Sequence, residues 1–271
     1  MAWEQKKGPK IHCLTNPVTM QDTANLLLAA GGSAIMAQAP QEVEEITSFC
    51  QATLLNTGVP EAEKLEACIL AGKQANLLGH PVILDPVGAG ASRFRRKWLA
   101  RLLDQVNVQV IRCNQEEACS LLSGCTDAFG GVESNVLLKR SELENLALKL
   151  SGAYSCTVLI SGAEDIVSDG VQIKFISGGS EYMGKITGGG CMLSALCALF
   201  CGYGYAPYKA AVTSSKLWKE SAELAELRRR KAGGGVGSFH ACVFDAVEEL
   251  CTRIHDCKAL EIMTEMEGQK E

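Results

Sequence analysis

From Lys10 to Ser161, short apolar runs alternate with longer amphipathic stretches, and this alternation leaves few folds open. Lys10–Leu14, Ser33–Ala37, Thr53–Asn56, Pro81–Asp85, Val108–Ile111 and Cys156–Ser161 read as strands. Between them, Gln21–Ala30, Glu42–Gln51, Glu61–Leu78, Phe94–Gln105, Gln115–Leu122 and Ser141–Leu150 read as helices. Pro81–Asp85 is an unbroken apolar strand, the kind that a parallel sheet buries on both faces. The pattern predicts an α/β fold, with a mostly parallel central sheet and helices on both faces. Asp169-Gly170, between Ile166–Ser168 and Val171–Ile176, predicts a type I′ hairpin. Helices over Cys191–Tyr203, Pro207–Ala232 and Phe239–His255 close the chain. Gly124–Asn135 reads as a loop and the polar tail from Lys258 as a fraying end. A length of 271 residues fits one domain over 1–271.

In such sheets, ligands bind beyond the carboxyl ends of the strands. Polar and glycine-rich residues gather there: Thr15-Asn16-Pro17-Val18, Asp85-Pro86-Val87-Gly88-Ala89-Gly90, Arg112-Cys113-Asn114-Gln115-Glu116-Glu117 and Ser161-Gly162. A second signal lies at Thr187-Gly188-Gly189-Gly190-Cys191-Met192, where three glycines enter an apolar helix. Glycine lets backbone N–H groups approach a ligand, and a helix N-terminus aims free N–H groups and a positive dipole end at it. That pairing suits phosphate. A nucleotide-dependent phosphoryl-transfer enzyme is the first hypothesis, and a helix start with a buried cysteine is the plain alternative.

A net charge of −5 argues against nucleic acid and anionic membranes as partners. The start carries no apolar secretory segment, and Met192–Phe200 is too short to span a bilayer, so a cytoplasmic protein is expected. The 13 cysteines include no CxxC pair, which leaves a zinc site without support. Apart from Cys191 they read as small buried hydrophobes in a reducing compartment. His12 reads as a core histidine, and Arg228-Arg229-Arg230-Lys231 as the cationic end of a helix.

Several motifs in fixed order carry a family resemblance: Thr15-Asn16, Ala24-Asn25, Ile35-Met36-Ala37, Leu55-Asn56-Thr57-Gly58, Ala71-Gly72-Lys73, Ile83 to Ala91, Ile111 to Asn114, Thr187 to Leu193 and Gly237-Ser238-Phe239. The chain resembles the hydroxyethylthiazole kinases, thiamine-salvage members of the ribokinase-like superfamily, from about Ile11 to Leu250. Cys191 marks this family against superfamily relatives, which carry aspartate there. The resemblance implies ATP-dependent phosphorylation of the hydroxyl of 4-methyl-5-(2-hydroxyethyl)thiazole, with Mg²⁺. It also implies a homotrimer with the thiazole sites between subunits.

The resemblance places Gly188, Gly189 and Gly190 as the anion hole for the transferred phosphoryl, with Gly188 also touching the thiazole. Backbone donors suit that task because they need no reorganisation. Cys191 would lie beside the substrate hydroxyl, where a helix N-terminus lowers a thiol pKa, and would act as a modest base or an orienting group. Asp85 would hold Mg²⁺ through water. Asn114 and Glu117 match an Asn-x-x-Glu pattern near metal and phosphates, with Glu116 as the neighbouring alternative. Arg112 and Ser161 match ATP-contacting positions; a guanidinium suits bidentate phosphate contact. Met36, Asn16 and Asn25 would contact the thiazole.

Three departures stand out. Cys113 replaces a glycine and would be costly at φ > 0. Gly189 replaces threonine or alanine and would loosen the anion hole. Ala163 stands where the family places glutamate, with Glu164 following. The alternatives are a hydroxymethylpyrimidine or pyridoxal kinase, a non-catalytic thiazole-binding relative, and a cysteine-nucleophile enzyme, which lacks a histidine partner.

Overall fold

A computed structural model describes residues 8–123 and 138–267, with side chains up to Ile254. The expected loop Gly124–Asn135 lies outside the described residues. One mixed sheet runs through the described residues in the order β2-β1-β3-β4-β5-β6-β7-β8. Its strands are β1 (Lys10–Leu14), β2 (Ser33–Ile35), β3 (Ala52–Asn56), β4 (Val82–Asp85), β5 (Val110–Asn114), β6 (Thr157–Ser161), β7 (Asp165–Ser168) and β8 (Ile173–Ile176). The first six pair in parallel, and β7 and β8 add an antiparallel edge. The strand order reverses between β1 and β3, so these two carboxyl ends form the switch point where such sheets open a crevice.

Helices cover both faces, as the alternation predicts. On one face lie α1 (Met20–Ala29), α7 (Gly189–Gly202), α8 (Pro207–Lys231) and α9 (Val236–Glu267), packed on Ile11, Cys13, Leu54, Ile83 and Val110. On the other lie α2 (Val43–Ser48), α3 (Ala62–Leu78), α4 (Arg93–Leu103), α5 (Gln115–Ser123) and α6 (Arg140–Tyr154), packed on Leu14, Leu55, Leu84, Ile111 and Ile160. Alternate residues of each strand thus feed opposite layers. The buried run Cys191–Cys201 makes α7 the central helix of its layer, apolar on every side. Each large side chain buried there contributes roughly 1.5–3 kcal/mol.

The differences from the sequence reading are local. β5 runs to Asn114 rather than stopping at Ile111, because its ladder with β6 continues to Asn114↔Ser161. Arg112, Cys113 and Asn114 are therefore strand residues. Cys113 is fully buried and is not among the positive-φ residues, so the feared backbone strain is absent there. The hairpin is real, but its connection is Asp169–Gln172 and not a two-residue type I′ turn. Gly170 has φ +91°, Asp169 is not left-handed, and the Asp169 carboxylate accepts the Val171 and Gln172 amides at 3.0 and 2.7 Å. The tail beyond Lys258 stays helical to Glu267. A 3-10 turn over Glu181–Lys185, which no periodicity announces, precedes α7.

The basic end of α8 is structural. Glu226 takes Arg229 and Arg230, and Arg228 pairs with Glu249 of α9. The cysteines with described side chains are free thiols, nine buried and two half-buried. His12 bridges Thr47 Oγ1 at 2.8 Å and the Ala37 carbonyl at 2.9 Å, and burial lowers its pKa. A depressed folded pKa gives stability that is present above the unfolded value and lost as pH falls below it. Acid unfolding is therefore expected to begin earlier, as pH drops through about 6.5, than in a His12→Gln variant. Chemical denaturation at pH 7.5 and 5.5 checks this, and equal pH slopes for the two proteins would rule it out.

Candidate active site

The switch point and the head of α7 meet at one place. Gly188, at φ +82°, is the N-cap of α7, and its carbonyl accepts the Met192 amide at 2.9 Å. The amides of Gly189, Gly190 and Cys191 donate to no acceptor among the described residues. Three N–H groups are thus left for a ligand, with the helix dipole behind them. Each glycine meets a different surrounding. A Cβ on Gly188 would lie 2.7 Å from Thr19 Cγ2, besides the left-handed φ. A Cβ on Gly190 would collide with the Arg112 guanidinium. At Gly189 it would find ordinary contact, 3.7 Å from the Met183 carbonyl and 3.8 Å from Trp218. Alanine therefore fits at 189.

A cleft of about 710 Å³ opens in front of these amides. Gly188–Gly190, Arg112, Ser161, Gly162, Met183, Trp218 and Lys219 are among the residues that line it. Arg112 reaches in from β5. It donates to Ser161 Oγ at the end of β6, and its Nη1 stands 3.8 Å from Asp85 Oδ1. Ser161 in turn donates to the Cys113 carbonyl at 3.4 Å. Lys219, on α8, is buried; it donates to the Gly162 and Ala163 carbonyls at 2.8 and 2.9 Å and pairs with Asp165 at 3.1 Å. The carboxylate lacking at Ala163 is not supplied by Glu164, which turns to Ser177 and Arg140.

Behind the amides lies a buried polar network. Asn16 Nδ2 donates to Asn56 Oδ1 at 3.1 Å and reaches Cys191 Sγ at 3.7 Å. Asn56 Nδ2 donates to Asp85 Oδ2 at 2.8 Å and to Cys191 Sγ at 3.2 Å. Lys64 Nζ fixes the loops above, donating to the Thr15 and Gly58 carbonyls at 2.8 Å each. Burial lifts the Asp85 pKa, while Arg112, Ser194, Cys191 and Asn56 pull it down. Burial first, then the Asp85 charge, push the Cys191 thiol up to about 11. Desolvation thus outweighs the opposing pull of Thr19, Asn56 and Arg112, which favours the orienting role over the base role for Cys191.

Asn114 and Glu117 form a reciprocal cap at the start of α5. The Asn114 amide donates to Glu117 Oε2 at 2.9 Å, and the Glu117 amide to Asn114 Oδ1 at 2.8 Å. Glu117 Oε1 accepts the Gly88 amide at 2.9 Å, which ties the β4 exit to the β5 exit. Burial and the neighbouring Asp85 raise the Glu117 pKa.

Asn16, Asp85, Arg112, Ser161, Gly188, Gly189, Gly190 and Cys191 are thus brought together, with Asn114 and Glu117 at the margin. Met36 is packed against the α7-side core just past β2, and Asn25 is exposed on α1; no hydrogen bond joins either to the network among the described residues. The sequence reading assigned no role to Asn56, Lys64 or Lys219. Asn56 was open to the strand-end rule, being the polar residue that closes a fully buried strand in register with Asp85. Nothing distinguishes Lys64 or Lys219 from other helical lysines until the fold buries them.

The family model for the hydroxyethylthiazole kinase family matches residues 3–253. The chain belongs to the hydroxyethylthiazole kinase family. It is 38% identical over 253 residues to the hydroxyethylthiazole kinase of Clostridium beijerinckii, covering 92% of this chain and 91% of that one. To the hydroxyethylthiazole kinase of Lysinibacillus sphaericus it is 40% identical over 221 residues, covering 82% and 86%. Among solved structures, a hydroxyethylthiazole kinase protein from Pyrococcus horikoshii OT3 superposes with a TM-score of 0.77 at 34% identity, covering 89% and 88%. The pyridoxal kinase of Staphylococcus aureus in complex with ADP, at TM-score 0.61 and 14% identity over 80% and 88%, shares the ribokinase-like fold.

Proposed function

We infer that the chain transfers the terminal phosphoryl group of ATP to the hydroxyl of 4-methyl-5-(2-hydroxyethyl)thiazole, the salvage step that feeds thiamine synthesis. The observation that carries the chemistry is the set of undonated amides of Gly189, Gly190 and Cys191, with a nucleotide-sized cleft on one side and the Asn16–Asn56–Cys191 network on the other. ATP would lie along the cleft, with Arg112 and Ser161 on its phosphates. The thiazole alcohol would approach from the Cys191 side. The acceptor oxygen bonds to the terminal phosphorus, the bridging P–O bond breaks, ADP leaves, and the hydroxyl proton passes late to a phosphoryl oxygen or to water. Charge collects on the phosphoryl oxygens, where the amides and Arg112 are already aimed.

Cys191 serves here as a neutral orienting group. Phosphoryl transfer through a loose transition state asks little of a base until late, so a thiol suffices. A Cys191→Ser variant is expected to keep kcat within about tenfold of the parent, since a hydroxyl offers the same acceptor and donor. Steady-state ADP release decides this; a thousandfold loss in a folded, nucleotide-binding variant would favour Cys191 as the base instead.

The residues fit Mg²⁺. Asp85 Oδ1 is a buried acceptor without a hydrogen-bond donor, and each Glu117 oxygen accepts a single backbone amide. An all-oxygen set suits this hard cation. Among the described residues no three His, Cys, Asp or Glu converge, so most of the coordination falls to water and phosphate. When bound, Mg²⁺ neutralises phosphate charge and orients the terminal group.

The homotrimer and the cytoplasmic location belong to the same inference. Val18 and Leu28 are exposed apolar side chains (66% and 62%) near Asn25, and β2 is a sheet edge, which supports a contact between copies there. Such a contact would bring Asn25 and Met36 toward a site. Among the described residues no helix is long and apolar enough to cross a membrane. A coupled ADP-release assay with the thiazole alcohol, hydroxymethylpyrimidine and pyridoxal tests the function. Turnover confined to the thiazole alcohol is expected, and turnover only with another acceptor would refute it.

A further inference from the structure

We propose that Asn56 is a positioning residue for phosphoryl transfer, holding Cys191 and Asp85 in fixed relation at the acceptor side of the site. The proposal rests on the kinase reading above. Asn56 is completely buried and closes β3 at the switch point, directly across from Asp85 in the β3–β4 ladder. Its amide orientation is determined: Oδ1 accepts the Gly58 backbone amide at 2.9 Å, and a flipped side chain would set two donors against each other. Nδ2 must then face Asp85 Oδ2 at 2.8 Å and Cys191 Sγ at 3.2 Å, one hydrogen to each.

The neighbours hold that amide still. Asn16 donates to Oδ1 at 3.1 Å and is itself oriented by the Val18 amide on its own Oδ1 at 3.1 Å. Lys64 anchors the Gly58 carbonyl, and Arg95 Nη1 anchors the Thr57 carbonyl at 3.1 Å. The Asn56 amide has both hydrogens donated and its oxygen accepting two hydrogen bonds, and buried hydrogen bonds of this kind rigidify their surroundings. Asn56 thus joins three elements, since Asp85 ends β4, Cys191 heads α7 and Asn16 follows β1. Its two acceptors are the carboxylate placed to hold the metal and the thiol placed at the substrate hydroxyl. Misplacement of such groups by an ångström costs rate on the order of 10²-fold.

The test compares N56D and N56S with the parent chain. N56D keeps the size of the side chain and its acceptance from Gly58 and Asn16, but removes both donations and sets a carboxyl against Asp85. Its kcat is expected to fall at least 30-fold, with KM for ATP and for the thiazole alcohol within threefold. N56S, which keeps one short hydroxyl, should lie between. A second readout needs no turnover: peptide-resolved iodoacetamide labelling of Cys191 at fixed pH. Relative to half-exposed Cys242, it should change at least fivefold in whichever variant is folded, and become slower in N56D. A folded N56D with kcat within threefold of the parent, or Cys191 labelling unchanged in the folded variants, overturns the proposal. An inactive parent chain would refute the kinase reading, while the labelling comparison still decides the role of Asn56.

Discussion

Gly190→Ala is expected to abolish most turnover, with kcat down by at least 10²-fold, while Gly189→Ala stays within a few-fold of the parent. The two positions are adjacent glycines at the head of the same helix, yet their surroundings differ. A methyl at 190 runs into the Arg112 guanidinium, and one at 189 meets only ordinary contacts with Met183 and Trp218. Arg112 cannot yield without leaving Ser161 or Asp85. Overpacking of this kind costs about 1–3 kcal/mol in stability. The larger loss is expected in catalysis, because on the proposed function the arginine and the amides beside it would take the transferred charge; removing one such donor typically costs 10²–10³-fold. Alanine at 189 removes backbone freedom from the unfolded chain and is expected to raise stability by up to about 1 kcal/mol. Steady-state kinetics and thermal unfolding of both variants provide the check. Equal damage at 189 and 190 would mean that flexibility of the glycine run matters, and not the space beside Arg112.

Asp85→Asn is expected to lower kcat by about 10³-fold and to destabilise the fold. Asp85 is fully buried, and its charge faces Arg112, which is nearly as buried. Removing one partner of a buried ion pair leaves an uncompensated charge, at a cost of about 3–5 kcal/mol. Glu117 also acts on Arg112, so the lower end applies. A loss of about 3 kcal/mol corresponds to a fall of roughly 6–12 °C in Tm for a chain of this size. The carboxylate is also the orphaned acceptor that fits Mg²⁺, so the variant should need more metal for half-maximal rate. A magnesium titration of initial rates reads this out, and an unchanged metal requirement would remove Asp85 from the metal site.

The strand–helix alternation made the fold legible, because burial on two faces leaves periodic apolar runs that need no tertiary knowledge. Lys10–Leu14 keeps the boundaries read from sequence. The exceptions have tertiary causes. Arg112 looks like a loop residue because it is charged; the β6 ladder keeps it in the sheet, and Asp85 and Ser161 receive its guanidinium. The free amides at the glycine run were also legible, since a helix start leaves its first N–H groups without intrahelical partners wherever the helix docks. The state of Cys191 was not. A helix N-terminus pulls a thiol pKa down, and the sequence does not reveal that Cys191 also lies buried beside Asp85, which pushes it up. Lys219 was invisible for a similar reason: in the sequence it is one lysine in a long polar helix, and the fold turns it onto the Gly162 and Ala163 carbonyls.

A structure of the protein with a non-hydrolysable ATP analogue and Mg²⁺ bears most directly on the anion cradle. The terminal phosphate is expected within hydrogen-bond distance of the Gly189, Gly190 and Cys191 amides, with Arg112 on the phosphate chain. A terminal phosphate bound elsewhere in the cleft, with those amides turned to water, would contradict it.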